Sequence, residues 1–168
     1  FNGGSDDPDR YYFGGKGGRG AVSHGNMDGG SFVFELDGIR WSVDPGMTGR
    51  YGRIERTGFG LWDKRQEGDR WKLLNKGNFG HSTISVNERL HDVDGLSEIV
   101  DYKPGDRPQA TVDMTAAFFG ELKRAKRTFT KDGDRSLVIE DDIETTHDVE
   151  LVTWQLVTQA DVTLLPGA

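Results

Sequence analysis

After residue 30, hydrophobic and polar positions alternate along most of the chain in short runs. Phe32-Val33-Phe34-Glu35-Leu36 and Ile39-Arg40-Trp41-Ser42-Val43 flank the pair Asp37-Gly38. Asp-Gly between β-branched and aromatic residues suits the positive backbone dihedrals of a tight hairpin, so the segment predicts two antiparallel strands with their turn at Asp37-Gly38. Runs at 82–86, 97–102, 110–119, 126–131, 137–143 and 149–158 repeat the texture. Thr83-Ile84-Ser85-Val86 and Leu151-Val152-Thr153-Trp154-Gln155-Leu156 show the period of two directly, which places alternate side chains on one face. Thr130-Lys131-Asp132-Gly133-Asp134 predicts a second hairpin turn. Residues 114–126 have the composition closest to a helix, but Gly120 and two phenylalanines favour a strand or a short irregular turn. About eight strands in this length predict an all-β fold, an antiparallel β-sandwich.

Residues 1–30 break the pattern. Gly, Asp, Ser and Asn dominate them, with the run Gly14-Gly15-Lys16-Gly17-Gly18-Arg19-Gly20, and they read as a glycine-rich loop. A phosphate cradle would need a Lys-Ser/Thr pair at fixed spacing and an amphipathic helix after it, and both are missing. No internal repeat divides the 168 residues, so one domain is expected over 1–168. Phe1 is not an initiator, and the chain stops at Leu164-Leu165-Pro166-Gly167-Ala168 just after a strand-like run. The segment therefore reads as part of a longer protein, with more β-structure or a neighbouring domain expected beside it.

Composition narrows the chemistry. No apolar run approaches the roughly 20 residues of a membrane-spanning helix. There is no cysteine, so any transition metal must be held by His, Asp, Glu or backbone oxygen. A net charge of −7 opposes bulk attraction of nucleic acid, yet leaves room for a local basic cleft. Arg50, Arg53, Arg56, Lys64, Arg65, Arg70 and Lys72 cluster in a segment that also carries Tyr51, Trp62 and Trp71. A solvated charged loop and an anionic-sugar groove both fit that cluster. Trp62 is its best stacking candidate and Arg70 a candidate substrate contact, while Trp41, Trp71 and Trp154 suit core or interface.

Of the four histidines, His91 and His147 each precede an aspartate in an acidic stretch and are expected at the solvated surface. His24 stands in the glycine-rich loop, His81 opens the 82–86 run and Asp44 closes the 39–43 run. Strand ends can bring an imidazole and a carboxylate together, and Asn26 could add an amide oxygen; such a set suits a cation, or simply a hydrogen-bonded His-Asp pair.

Gly14-Gly15, Ser23-His24-Gly25-Asn26-Met27-Asp28-Gly29-Gly30-Ser31-Phe32, Gly38-Ile39-Arg40-Trp41, Asp44-Pro45-Gly46, Arg70-Trp71 and Gly80-His81-Ser82-Thr83 together resemble the heparinase II/III-like domain. The likeness continues through Lys126-Arg127-Thr128, the run 138–143 and Val152-Thr153-Trp154-Gln155. It implies the β-sandwich half of a polysaccharide lyase from a bacterial periplasm or secretion. An N-terminal α/α-toroid would supply the other wall of the cleft. The reaction implied is β-elimination at a uronic acid of an acidic polysaccharide, with His24 as a catalytic residue and Tyr51 as a substrate contact or proton carrier. Ordinary packing is the alternative for Tyr51. The main Tyr and its Asn or His partner would come from the toroid, so the isolated domain is expected to be a poor catalyst.

The resemblance also implies metal ligands at Asn26, Asp44 and His81. Zinc-containing relatives carry histidine where this chain has Asn26, and three outcomes follow: zinc with Asn26 or water completing the shell, a harder ion such as calcium, or no metal. Asp28 is read as a hydrogen-bond acceptor behind the ligands. The competing functional readings are a non-catalytic carbohydrate-binding or architectural β-sandwich, and metal-assisted hydrolysis.

Overall fold

The computed structural model describes residues 1–3, 10–47 and 49–165. Strands β1 (Tyr11–Gly15), β2 (Phe32–Leu36) and β3 (Ile39–Ser42) form one sheet in that order. A second sheet has the order β5 (Glu98–Lys103), β6 (Gln109–Asp113), β7 (Leu122–Lys131) and β8 (Leu137–Thr145). Strand β4 (Ile84–Val86) pairs with β9 (Val152–Trp154), and every pairing is antiparallel. The one α-helical segment among the described residues, α1 (Tyr51–Glu55), lies in the long connection between β3 and β4.

The expected hairpin is present, with Asp37 at φ +51° and Gly38 at φ +76° between β2 and β3. A side chain at Gly38 would be strained in that conformation, which is why the pair reads so clearly from sequence. The turn between β7 and β8 also falls where expected.

Three boundaries differ from the pattern. Strand β1 lies inside the stretch read as loop: Tyr11 and Phe13 point inward while Tyr12 points out, and Phe13 pairs with Phe34. Two inward aromatics among glycines leave too little periodicity to detect alone. The 110–119 run is not one strand, because β6 ends at Asp113, whose Oδ1 accepts the Thr115 N–H at 3.0 Å and turns the chain into a 3₁₀ segment, Thr115–Phe118. Within 149–158 only Val152–Trp154 forms ladder pairs.

Aromatics join the sheets face to face. The rings of Phe13 and Phe32 lie 4.8 Å and 5.8 Å from that of Phe129 on β7, and Ile84, Val86, Val112, Met114 and Leu122 complete the core. A smaller cluster of Met27, Trp71 and Val93 supports the loops at one end. The fold also contains a fully buried cation. Arg127 shares β7 with Ala125 and Phe129, holds Asp141 of β8 in a bidentate pair (2.7 and 2.9 Å), and donates through Nη1 to Gly30 O at 2.9 Å and Ser82 O at 3.1 Å. One guanidinium thus fixes the glycine-rich loop and the segment after His81 to the sheet.

His91 is a correction to the surface assignment. It is buried, its Nε2 lies 2.8 Å from Ile84 O, and its ring meets that of Phe118 edge-on at 5.1 Å. Burial pushes its pKa down to about 4. The neighbouring Asp92 said nothing about this, because the 3₁₀ segment that covers the ring comes from far along the chain. His147 is exposed, as expected.

Candidate functional site

The loops at the end of the sandwich converge on one face. Residues 23–28 of the glycine-rich loop lie against residues 69–78, since the Met27 N–H donates to Lys76 O at 2.8 Å and a guanidinium proton of Arg70 goes to Gly25 O. Gly25 lets the loop fold tightly on itself: a Cβ there would lie 2.5 Å from Gly20 O and 2.7 Å from Val22. His24 has φ +59°, in the left-handed region that non-glycine residues seldom adopt.

Two of the residues singled out by sequence, His24 and Tyr51, meet around Trp62. The His24 ring lies edge-on to the indole at 5.3 Å and the Tyr51 ring at 6.5 Å. Trp62 is 44% exposed, and its Nε1 donates to Glu55 at 2.7 Å at the end of α1. No hydrogen bond engages the His24 imidazole among the described residues, so both ring nitrogens are available to a ligand. Ser23, His24, Trp62, Lys64 and Arg70 line an open pocket of about 300 Å³.

Arg70 sits differently from the other basic residues of its segment. It is 1% exposed, lies between the indoles of Trp62 and Trp71 at 5.7 and 5.2 Å, and gives its Nη protons to Leu61 O and Gly25 O. Its role in the fold is to pin the loop of His24, with only an edge reaching the pocket, and burial lowers its pKa. Two others of the basic cluster are paired locally: Arg65 with Asp63 at 2.6 Å and Lys72 with Asp69 at 2.5 Å.

The second group is centred on Asp44 and His81. Asp44 Oδ2 lies 2.7 Å from His81 Nδ1, and Asp44 Oδ1 accepts the Gly46 N–H at 2.8 Å. The hydrogen bond from His81 is the main cause that holds the Asp44 carboxyl below its ordinary pKa, and the charge of Lys16 adds to it. His81 is fully buried, and its Nε2 has no partner.

Asn26 faces two lysines that carried no sequence signal. Its Oδ1 accepts from Lys76 Nζ at 2.9 Å, and its Nδ2 donates at 3.3 Å to Asp28, which Lys16 holds at 2.5 Å. Lys76 is 5% exposed, and its ammonium lies 5.0 Å from the centre of the Tyr51 ring. The Tyr51 hydroxyl accepts from Asn75 Nδ2 at 2.6 Å, and the same amide donates to Gly46 O at 2.7 Å. Asn75 therefore links the tyrosine to the turn after Asp44.

These residues do not fit a His-Asp-His zinc site. The one oxygen of Asn26 already receives an ammonium hydrogen. His81 Nδ1 is engaged by Asp44 Oδ2 at 2.7 Å, which leaves the buried Nε2 as the ring atom without a partner. Among the described residues no third His, Asp or Glu joins them in a group that could hold an ion.

Residues 13–166 match the heparinase II/III-like C-terminal domain, and the match covers every site residue named above. The chain belongs to this family. No curated protein matches it. Family membership agrees with the sandwich and with the loop, strand-end and tryptophan positions that carried the resemblance. No helix among the described residues is long and apolar enough to cross a membrane.

Proposed function

We propose that this heparinase II/III-like domain is the β-wall of a polysaccharide lyase cleft that cleaves a uronate-containing acidic polysaccharide by β-elimination. The observation that carries the reading is the convergence of His24 and Tyr51 on the half-exposed ring of Trp62, beside Lys64. The strained backbone at His24 adds support, because such conformations persist where the surroundings impose them and concentrate at functional sites.

In this reading Trp62 stacks a sugar ring and Lys64 faces its charge. Elimination removes the proton on the carbon next to the uronate carboxylate; the electron pair forms a carbon-carbon double bond as the glycosidic carbon-oxygen bond breaks, and the leaving oxygen takes a proton. His24, with both nitrogens available, accepts the first proton or holds the carboxylate. Tyr51 contacts the substrate or carries a proton, its hydroxyl fixed by Asn75. The rest of the site belongs to an N-terminal α/α-toroid, and the protein acts in the periplasm or outside the cell, where such polysaccharides are met.

The test is incubation of the whole protein with heparin-, chondroitin-, hyaluronan- and alginate-type chains, following the ultraviolet absorbance of unsaturated uronate. Absorbance should rise with at least one chain type and fall by about 100-fold or more in rate for His24→Ala. Retention of a glycan without any unsaturated product would instead establish a binding module.

A further inference from the structure

Building on the lyase reading, which seats the uronate beside His24, we propose that the neighbouring pocket is a second sugar subsite. It takes an uncharged residue bearing hydroxyl or acetamido groups, and so selects chains in which uronate alternates with an unsulfated hexosamine over chains made of uronate alone.

The two pockets have a common wall. Trp62 and Lys64 line both the pocket of His24 and a larger open one of about 740 Å³, to which Glu67, Asp92, Asp94 and Phe119 also contribute. Hydrogen bonds build its floor. The Ala21 N–H donates to Val93 O at 2.7 Å and the Asp92 N–H to Ala117 O at 2.9 Å, while the Gln66 amide donates to His91 O and accepts the Val93 N–H, both at 2.9 Å. The glycine-rich loop, residues 91–95 and the 3₁₀ segment that leads into Phe119 are thereby locked together. Gly95 permits the last of these contacts, since a Cβ there would lie 2.3 Å from Ala116 O. Trp62 is 44% exposed and Phe119 49%. Two half-exposed aromatic rings on one cavity offer the apolar surface on which the C–H face of a sugar ring lies.

Charge decides which sugar fits. Arg65, also on this pocket, is held by Asp63 at 2.6 Å, so Glu67, Asp92 and Asp94 stand against Lys64 alone. Carboxylates accept hydrogen bonds and donate none, which suits the hydroxyl and amide N–H groups of a neutral sugar. A second uronate or a sulfate ester would meet like charge there, and that is discrimination by repulsion. The His24 pocket has the opposite balance: Lys64 and Arg70 line it, and among the described residues that line it there is no carboxylate. One tryptophan wall therefore divides a pocket that receives an anion from one that rejects it. An alternating chain matches that order, and an all-uronate chain does not.

The experiment is titration calorimetry of the whole protein at low ionic strength with size-matched hyaluronan-type and alginate-type oligosaccharides, while unsaturated-uronate absorbance is followed in parallel. The hyaluronan-type chain should bind at least about tenfold more tightly than the alginate-type one, and Phe119→Ala should weaken the hyaluronan-type chain by about tenfold. Glu67 and Asp94 are exposed, so Glu67→Gln/Asp94→Asn removes charge without touching the core. That double variant should narrow the gap by at least about threefold, by strengthening the alginate-type chain. Equal or tighter binding of the alginate-type chain by the unaltered protein overturns the proposal and needs no variant to fold. An affinity ratio unchanged in the double variant overturns it, and so does failure of both chains to bind. A hyaluronan preference with no unsaturated product from any chain sinks the lyase reading and leaves the subsite standing. Product formed as readily from the alginate-type chain does the reverse.

Discussion

Asp44 and His81 meet at 2.7 Å across the site, the carboxylate at the end of β3 and the imidazole just ahead of β4. Because the contact holds the Asp44 pKa below its unfolded value, its stabilisation is present above the ordinary carboxylate pKa and is lost as pH falls through the lowered one. About a third of the Asp44 side chain is exposed, so solvent screening reduces its worth. Asp44→Asn is expected to cost about 1 kcal/mol at neutral pH. Urea denaturation should show that cost vanish once pH drops below the lowered pKa.

Arg127 offers a larger effect. Its guanidinium is fully buried and satisfies Asp141, Gly30 O and Ser82 O at once. Arg127→Met should destabilise the domain by about 3–5 kcal/mol, because a mostly buried carboxylate and two carbonyls lose their donor. The pair Arg127→Met/Asp141→Leu should recover part of the loss. A loss below about 1 kcal/mol in chemical denaturation of the single variant would refute the clamp.

His91 makes stability depend on pH in a defined window. Its folded pKa is about 4, below the unfolded value of 6.5, so the unfolded chain takes up the proton first as pH falls. The contribution is complete above 6.5, is lost between 6.5 and about 4, and changes no further below that; its size is about 3 kcal/mol. The groups acting on the ring are Ile84 O, Phe118, His81 and Asp28, while Asn78 Oδ1 accepts the His91 backbone N–H. In thermal denaturation across this window, His91→Gln should show a shallower pH dependence than the parent. An unchanged slope would mean that His91 is not the group being protonated.

Trp62 serves the pocket and the fold. Because its indole covers one face of the buried Arg70 guanidinium while half of it reaches solvent, Trp62→Ala should cost about 1 kcal/mol of stability. Affinity for a uronate oligosaccharide should fall about tenfold, ~1.4 kcal/mol. Titration calorimetry on the whole protein checks this, and Trp62→Phe should keep most of the affinity.

What the sequence by itself determined is local chemistry. The Asp37-Gly38 hairpin, the 130–134 turn and the runs that form β4 and β9 were legible because a turn dihedral and a strand-like run are written in adjacent residues. The family was legible because loop and strand-end residues keep their order and spacing. Tertiary structure decided the rest. Strand β1 needed β2 to pair with, His91 needed the 3₁₀ segment to cover it, and Arg70 needed two indoles to bury it. Lys76 lies 50 residues from Asn26 and was one lysine among many in the sequence. Its place follows from the Met27-Lys76 backbone bond, and a desolvated charge takes its meaning from whichever groups the fold sets around it.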